Sequence, residues 1–284
     1  IHATADNSDD VGHLRLAGGY SLTKRVNTFL RPYQRDGVRW LMDRFVGVDH
    51  WKKQSENGPE NVVQRPRKVR GGVLGDDMGM GKTVQLVAFF CALYRKTGGP
   101  SDVDALEARR REARAAAQEH RDYDHTPPTV IVAPASVCHQ WLQEIQTWGC
   151  FAAALLSGDN RERRISVARA VTSGELEIVV MTYGIFLRDY LDFENLRMTC
   201  MVYDEAHCLK SKGSQRCKKA TDISCTTFAL TGTPMQNEPI ELFTFLNAVV
   251  PSALTCSVQE FKKLYQIPIL KGRKRTASGI EIAR

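Results

Sequence analysis

The chain has 284 residues, of which 43% are hydrophobic and 25% are charged. This length and composition predict a globular protein with a sizeable core, organised as one large domain or two small ones. No apolar run approaches the roughly 18 residues of a membrane span, which excludes a membrane-spanning helix. The formal charge of +7, from 39 Lys and Arg against 32 Asp and Glu, favours an anionic partner, although such a charge also serves solubility alone.

At the start of the chain, Ile1–Asp10 is polar and acidic and has no initiator Met. We interpret residues 1–29 as a flexible N-terminal segment and expect the chain to be part of a longer protein. The eight cysteines include no Cys-x-x-Cys pair, which disfavours a zinc site, and several lie in apolar runs, as buried thiols do. We therefore expect an intracellular, reducing compartment.

From residue 71 onwards, short β-branched runs alternate with segments of helical periodicity. Such alternation predicts an α/β fold with a parallel sheet, helices on both faces and ligands bound at the carboxyl ends of the strands. Helical spacing is clearest at Val84–Tyr94 and Val137–Trp148. The predicted strands are Gly71–Leu74, Thr129–Ala133, Phe151–Leu156, Glu177–Thr182, Thr199–Asp204 and Thr226–Thr231.

Polar stretches interrupt this alternation. We interpret residues 47–70 as a surface loop and residues 97–128 as an insertion. The insertion contains Ala105–His120, whose Glu107–Arg111 spacing suits an exposed helix, with or without a binding role. Residues 252–284 are predicted to be the start of an inter-lobe region or a basic tail, which touches phosphates, acts as a nuclear address or is simply solvated.

A glycine-rich segment, Gly75–Thr83, follows the first predicted strand of the sheet and opens a helix; we call it the phosphate loop. Its glycines let consecutive N–H groups face inward as an anion nest, and the helix terminus adds partial positive charge. We predict that Lys82 reaches the β- and γ-phosphates of a nucleotide and that Thr83 ligates Mg²⁺. The strict motif has Gly where this chain has Asp76, so the loop is a variant form. The alternative is a glycine-rich turn with an incidental lysine.

Another predicted strand ends in two carboxylates, Asp204 and Glu205. Asp204 would hold Mg²⁺ opposite Thr83, and Glu205 would orient or deprotonate an attacking water. A surface salt bridge between Glu205 and His207 is the alternative, which the phosphate loop earlier in the chain disfavours. His207 would either sense the γ-phosphate or only pack.

Three further segments can be given functional interpretations once these two motifs are considered together. Leu230–Pro234 places hydroxyls on both sides of a glycine, where they can bond toward the Asp204 strand or toward nucleic acid, although alone it is only a turn. Gln34 carries an amide that can pair with donor and acceptor groups on an adenine edge. Cys208–Lys219 contains five basic residues and no acid, which suits a phosphate track or a solvated helix face.

These residues together resemble the superfamily-two helicase motors, specifically the Swi/Snf-type DNA translocases, over about Leu30–Pro251. RNA helicases with Asp-Glu-Ala-His usually have Ser-Ala-Thr where this chain has Thr-Gly-Thr, which makes the resemblance specific. Within the family the chain is most similar to the excision-repair cross-complementing subgroup, which includes the Cockayne syndrome B protein. The subgroup similarity is in Asp76–Gly79 and in Phe261–Lys263 followed by Pro268, Gly272 and Thr276–Ala277. The segments that carry the family resemblance are Gly75–Thr83 (first ATPase motif), Ala133–Glu144 (motif Ia), Met181–Tyr183, Asp204–His207 (motif II, the DEAH box) and Leu230–Asn237 (motif III).

The resemblance implies a RecA-like fold, the P-loop helicase ATP-binding lobe, over residues 30–251. It also implies a nuclear, ATP- and Mg²⁺-dependent hydrolase, helicase-like and DNA-stimulated, that moves along double-stranded DNA in chromatin remodelling or DNA repair. Contacts to the DNA backbone are expected from Ser136–Gln140 and Met181–Gly184. Departures from the family are Met80 for Leu, Cys208 for Arg and Ser211 for Asn.

As partners, the resemblance implies double-stranded DNA and a second RecA-like lobe in a longer parent, with no membrane and a monomeric state. Nothing in the chain resembles that second lobe, whose arginine fingers would stabilise the transferring phosphoryl group, so we expect slow hydrolysis by this chain alone. A strand-separating helicase and a non-hydrolysing nucleotide-gated interaction module remain alternatives. The expected catalytic residues are Lys82, Asp204 and Glu205, the Mg²⁺ ligands Thr83 and Asp204, and the nucleotide contacts Gln34, Asp77, Met78, Gly79, Met80, Gly81, Lys82, Thr83, Val84 and His207.

Overall fold

A computed structural model describes residues 12–48, 69–121, 123–158, 161–189, 197–209, 215–233, 238–251, 253–254 and 256–272. Several predicted features lie outside these ranges. They are most of the 47–70 loop, Lys210 to Lys212 after the acidic motif, the 234–237 part of motif III and the basic residues beyond 272.

The described residues contain a six-stranded sheet in which every pair of neighbouring strands is parallel. The strand order is β3-β8-β7-β4-β6-β5. All six predicted strands are confirmed to within two residues at either end, and with them the α/β fold class. The strands are β3 (Gly72–Leu74), β4 (Thr129–Ala133), β5 (Ala153–Leu156), β6 (Ile178–Thr182), β7 (Cys200–Tyr203) and β8 (Thr226–Leu230).

Helices cover both faces of this sheet because its strands are apolar on both sides. In β4, Ile131 and Ala133 belong to one buried cluster and Val130 and Val132 to the other, as the two-residue repeat of a strand requires. The helices are α1 (Lys24–Thr28), α2 (Pro32–Val46), α3 (Lys82–Leu93), α4 (Ser101–Gln118), α5 (Cys138–Gly149), α6 (Arg161–Thr172), α7 (Tyr183–Arg188), α8 (Gln215–Asp222), α9 (Pro239–Val249), α10 (Val258–Phe261) and α11 (Ile267–Gly272).

The central helix is α3, which follows the phosphate loop. Every residue from Gln85 to Leu93 is buried, so α3 is enclosed on all sides and is not an amphipathic surface helix. The helices α1, α2 and α5 contribute to the same core as α3, while α6, α7, α8 and α9 contribute to the core on the opposite face. None of the helices in the described ranges is long and apolar enough to cross a membrane.

Residues 12–29 differ from the expectation of a flexible segment. They form the antiparallel pair β1 (Leu14–Arg15) and β2 (Ser21–Leu22) followed by α1, and Leu22 and Val26 are fully buried in the core around α3. Thr23 ties this segment to the chain after α3, because its hydroxyl donates to Thr97 O at 2.8 Å. The burial of these apolar side chains stabilises a segment whose local sequence is otherwise polar.

The insertion at 97–128 forms α4, as predicted, and Glu107 and Arg111 are exposed on it. Its other face is buried through Leu106, Ala113 and Ala116, so the helix is part of the domain surface rather than a free appendage. The helix α10 also packs on the domain, since the ring centre of Phe261 lies 4.8 Å from that of Phe243 in α9.

Candidate functional site

The strand order brings the two predicted motifs together. β3 leads into the phosphate loop, β7 leads into Asp204, and both strands pair with β8 between them. The register sets Leu74 beside Leu230 and Tyr203 beside Ala229, so the three strands end at nearly the same level. Because parallel strands end at one edge of a sheet, the phosphate loop, the Asp204–Glu205 pair and the turn after β8 emerge side by side.

The phosphate loop curves through two left-handed glycines, Gly79 at φ 83° and Gly81 at φ 75°. The Lys82 ammonium turns back over the loop and donates to the backbone oxygens of Asp76 (2.7 Å) and Asp77 (3.1 Å). A positive charge is therefore held against the glycine turn, at the start of α3, where the helix dipole also favours an anion. Thr83 and Val84 follow in the first turn of that helix.

Buried amides support the loop from behind. Gln85, which is fully buried, donates from Nε2 to Asp76 Oδ2 at 2.9 Å. The carboxylate that replaces the usual glycine therefore serves as a loop anchor. Gly37 of α2 makes room for this amide, since a Cβ there would lie 1.7 Å from Gln85 Oε1. The sequence analysis did not identify Gln85 as a residue that supports the loop. The available signal was its position on the predicted helix, three residues after Lys82.

Gln34 lies against the phosphate loop from α2. Its Oε1 accepts from Arg31 N at 2.9 Å, and its Nε2 donates to Met80 O at 3.4 Å. These two bonds use half of the four that an amide side chain can make, which leaves one donor and one acceptor site on Gln34. Gln34 is buried against the loop, and its adenine contact stays a prediction.

Two glycine substitutions in the loop distinguish backbone strain from a close contact. Gly81→Ala is expected to destabilise the protein more than Gly79→Ala. Both force alanine into the left-handed region, at about 1–2 kcal/mol each. Only at Gly81 would the new Cβ also lie 2.4 Å from Gln34 Nε2, whereas at Gly79 nothing lies within 4 Å. Urea unfolding of both variants without nucleotide measures the difference in the free energy of unfolding. Equal decreases in the two variants would contradict an effect of the close contact with Gln34.

Asp204 is held by hydrogen bonds from two directions. Its Oδ2 accepts from Trp141 Nε1 and its Oδ1 accepts from Glu205 N, both at 2.8 Å. Burial raises the pKa of the Asp204 carboxyl, and these two hydrogen bonds and the positive charge of Lys82 oppose that increase. The negative charge of Glu205 adds to the increase, and the influence of Lys82 is the smallest of these.

Glu205 differs from Asp204 in exposure and in backbone conformation. Its φ of 48° lies in the left-handed region, which is unusual for a residue other than glycine and often marks a functional position. The side chain is 38% exposed, and its Oε2 lies 3.2 Å from Nδ1 of His207. The Glu205 carboxylate is thus partly exposed to solvent and contacts His207.

The turn after β8 reaches the phosphate loop. Thr231 is buried, and its hydroxyl accepts from Thr233 N at 3.1 Å. A Cβ at Gly232 would lie 3.2 Å from Met78 Cγ, so this glycine allows close approach to the loop. The contact between Gly232 and Met78 was not indicated by the sequence.

The predicted DNA-contacting segments are only partly exposed. Ser136, His139 and Gln140 at the start of α5 are exposed, as is Gly184. Cys138, Met181 and Tyr183 are buried, and the expected DNA contacts of the two segments stay a prediction. On α8, the Arg216 guanidinium lies 5.5 Å from the centre of the Tyr183 ring, Lys219 Nζ donates to Leu187 O, and Lys218 is exposed.

Comparison with solved structures supports the fold. The SWI2/SNF2 ATPase core of Sulfolobus solfataricus in complex with dsDNA aligns with a TM-score of 0.56 at 23% identity, covering 89% of this chain and 42% of that one. This likeness confirms the RecA-like fold.

Sequence comparison finds relatives in several eukaryotes. The Mus musculus DNA excision repair protein ERCC-6-like 2 is 27% identical over 272 residues, covering 93% of this chain and 16% of the relative. Arabidopsis thaliana Switch 2 is 27% identical over 254 residues (89% and 25%). The Homo sapiens SWI/SNF-related matrix-associated actin-dependent regulator of chromatin subfamily A containing DEAD/H box 1 is 28% identical over 242 residues (83% and 19%).

The chain spans a quarter or less of the length of each of these relatives. A family model, the SNF2-related domain, matches residues 33–281. This match covers most of the chain, including the phosphate loop and the Asp204–Glu205 pair, and the chain therefore belongs to the SNF2-related domain family.

Proposed function

We propose that the chain is the ATP-binding lobe of a DNA-dependent ATPase that moves along double-stranded DNA. One observation carries the proposal: the phosphate loop and Asp204 lie on either side of β8 at the same edge of the sheet, because β3 and β7 both pair with β8. A nucleotide triphosphate needs both a nest of N–H groups and a carboxylate for its cation, and this edge offers both.

The residues at this edge fit Mg·ATP. Lys82 would exchange the carbonyls of Asp76 and Asp77 for phosphate oxygens, and the N–H groups of the glycine turn would bind the same anion. Mg²⁺ prefers hard oxygen ligands, which the Thr83 hydroxyl and Asp204 carboxylate provide. Each Asp204 oxygen accepts a hydrogen bond and keeps further acceptor capacity. When bound, the ion would neutralise charge on the phosphates.

Glu205 is proposed to act on the attacking water. Its carboxylate follows Asp204 directly, is partly exposed and lies beside His207, so a water could reach it from solvent. A carboxylate in this position can orient the water and accept its proton. His207 is proposed to pack beside the Glu205 side chain, because its Nδ1 lies 3.2 Å from Oε2 without forming a hydrogen bond.

DNA binding is proposed at the exposed start of α5, through Ser136, His139 and Gln140, and at Gly184. The net charge of +7 favours a polyanion. Support also comes from the solved relative in complex with dsDNA and from relatives named for excision repair and chromatin regulation. We place the chain in the nucleus and in the excision-repair subgroup on the same grounds. Contacts to phosphates imply weak sequence preference and strong salt dependence.

A second RecA-like lobe is proposed for the longer protein, since the relatives extend far beyond the matched region. Its arginines would close on the phosphate loop, and such residues are worth roughly 10³ to 10⁵ in rate. We therefore expect slow ATP hydrolysis by the chain alone. Full-speed, DNA-stimulated turnover by this chain would contradict the need for that lobe.

Three measurements separate this function from its alternatives. Nucleotide binding, ATP hydrolysis with and without duplex DNA, and displacement of a labelled strand are compared for the chain and for Lys82→Ala. We expect Mg·ATP binding, slow DNA-stimulated hydrolysis and no displacement, with binding lost in Lys82→Ala. Strand displacement would favour a helicase. Binding without any hydrolysis would favour a nucleotide-gated interaction module, and binding that survives in Lys82→Ala would contradict the assigned site.

A further inference from the structure

Trp141 connects the start of α5 to the candidate nucleotide site. Its side chain is 1% exposed, and its indole Nε1 donates to Asp204 Oδ2 at 2.8 Å. The residue immediately before it, Gln140, is exposed on the segment proposed to contact DNA. A single side chain thus separates that surface from the carboxylate proposed to hold Mg²⁺.

The chemistry of the indole makes this link stiff. An indole has one N–H, which only donates, and a buried donor needs an acceptor. Here the acceptor is a carboxylate, so the bond is charge-assisted and stronger than a neutral one. The ring is rigid and enclosed by core residues, and a shift of α5 would therefore change the length or angle of the bond to Asp204.

Tyr183 makes a second connection to the same residue. It is the first residue of α7, beside the exposed Gly184, and its hydroxyl donates to the backbone oxygen of Asp204 at 2.9 Å. Both segments proposed to contact DNA therefore form a hydrogen bond to Asp204, one to its side chain and one to its backbone. This convergence distinguishes Asp204 from Glu205, whose side-chain contact is to His207.

We infer that Trp141 is a positioning residue that couples DNA engagement at the start of α5 to the orientation of the Asp204 carboxylate, and so to Mg·nucleotide binding. This inference rests on the proposed function, because it requires that the chain bind both ligands. Coupling between two binding sites is reciprocal: DNA must change the nucleotide affinity by the same factor by which nucleotide changes the DNA affinity.

The test measures this coupling factor directly, without hydrolysis. Dissociation constants of a fluorescent non-hydrolysable ATP analogue with Mg²⁺ are measured with and without duplex DNA, and the reverse titration is made with labelled duplex. Trp141→Phe keeps a large apolar ring and removes the N–H. We expect a coupling factor within the usual range of about 5–150 for the unchanged chain and a smaller one for Trp141→Phe, in which only the Tyr183 connection to Asp204 is left.

Trp148 provides a matched control on the same helix. Its indole Nε1 donates to Glu144 Oε2 at 3.2 Å, so Trp148→Phe also removes an indole-to-carboxylate bond but leaves Asp204 untouched. The coupling factor should be unchanged in this variant. Omitting Mg²⁺ should reduce the difference between Trp141→Phe and the unchanged chain, because the bond acts on a proposed ligand of the ion.

The outcomes distinguish the two proposals. If the unchanged chain binds no Mg·analogue or no DNA, the proposed function fails and the inference fails with it. If it binds both ligands without coupling, or if Trp141→Phe keeps the full coupling factor, only the inference is overturned. Should Trp141→Phe unfold, Tyr183→Phe removes the hydroxyl bond to Asp204 O instead. A reduced factor in that variant supports the convergence on Asp204, and an unchanged one overturns it.

Discussion

Glu205→Gln is expected to lower the rate of ATP hydrolysis by about 10²–10⁴-fold and to leave Mg·ATP binding unchanged. The substitution keeps the size and most of the polarity of the side chain but removes its ability to accept a proton. The Asp204 carboxylate and the Lys82 ammonium, which are proposed to bind the nucleotide, are not altered. Single-turnover hydrolysis and a separate binding titration measure the two effects.

Glu112→Gln is the matched control for this variant. Glu112 is exposed on α4 and forms a surface ion pair with Arg121, remote in sequence from the phosphate loop. Its replacement should change neither hydrolysis nor binding. Equal single-turnover rates for Glu205→Gln and the unchanged chain would remove Glu205 from the water-activating role while leaving the binding site in place.

Glu177→Ala is expected to lower the free energy of unfolding by about 3–5 kcal/mol, because it leaves a buried cation without its partner. Glu177 Oε2 lies 3.0 Å from Lys96 Nζ, and the two side chains are 4% and 5% exposed. The same oxygen accepts from Ala152 N at 2.9 Å, and Oε1 lies 3.7 Å from the Arg109 guanidinium. Removing the carboxylate thus leaves the Ala152 N–H without its acceptor and the Lys96 ammonium without a counter-charge, although Lys96 keeps its hydrogen bond to Cys150 O at 3.4 Å.

Glu175→Ala tests whether burial of the ion pair causes the loss of stability expected for Glu177→Ala. Glu175 is two residues away and pairs with Arg114 at 3.3 Å, but Arg114 is 67% exposed. Exposed ion pairs contribute about 0–1 kcal/mol, so this variant should be nearly as stable as the unchanged chain. Urea unfolding followed by tryptophan fluorescence compares the two. Similar losses for Glu175→Ala and Glu177→Ala would contradict a special role for the buried pair.

The Glu177 contacts also explain how the insertion joins the domain. Arg109 belongs to α4, Lys96 follows α3, and Glu177 directly precedes β6. The carboxylate therefore ties the inserted helix and the end of α3 to the sheet at its amino-terminal edge. This position is opposite the phosphate loop, so its loss should reduce stability without changing nucleotide contacts directly.

The strands and the phosphate loop could be predicted because their signals are local. Parallel strands buried on both faces appear as short apolar runs, as in β4 and β6. The phosphate loop depends on glycines and a lysine within nine consecutive residues, Gly75–Thr83, whose backbone conformations follow from residue type. Asp204 and Glu205 were identifiable because they end an apolar strand.

The tertiary structure decided which residues of these separate motifs come into contact. Trp141 and Asp204 are 63 positions apart and come into hydrogen-bonding distance because β7 pairs with β4, whose end leads into α5. Gly232 reaches Met78 because β8 lies beside β3. Strand order depends on how helices pack across the sheet, a long-range property that no window of neighbouring residues records. The amino acid sequence by itself therefore determined the parts of the site, and packing determined their contacts.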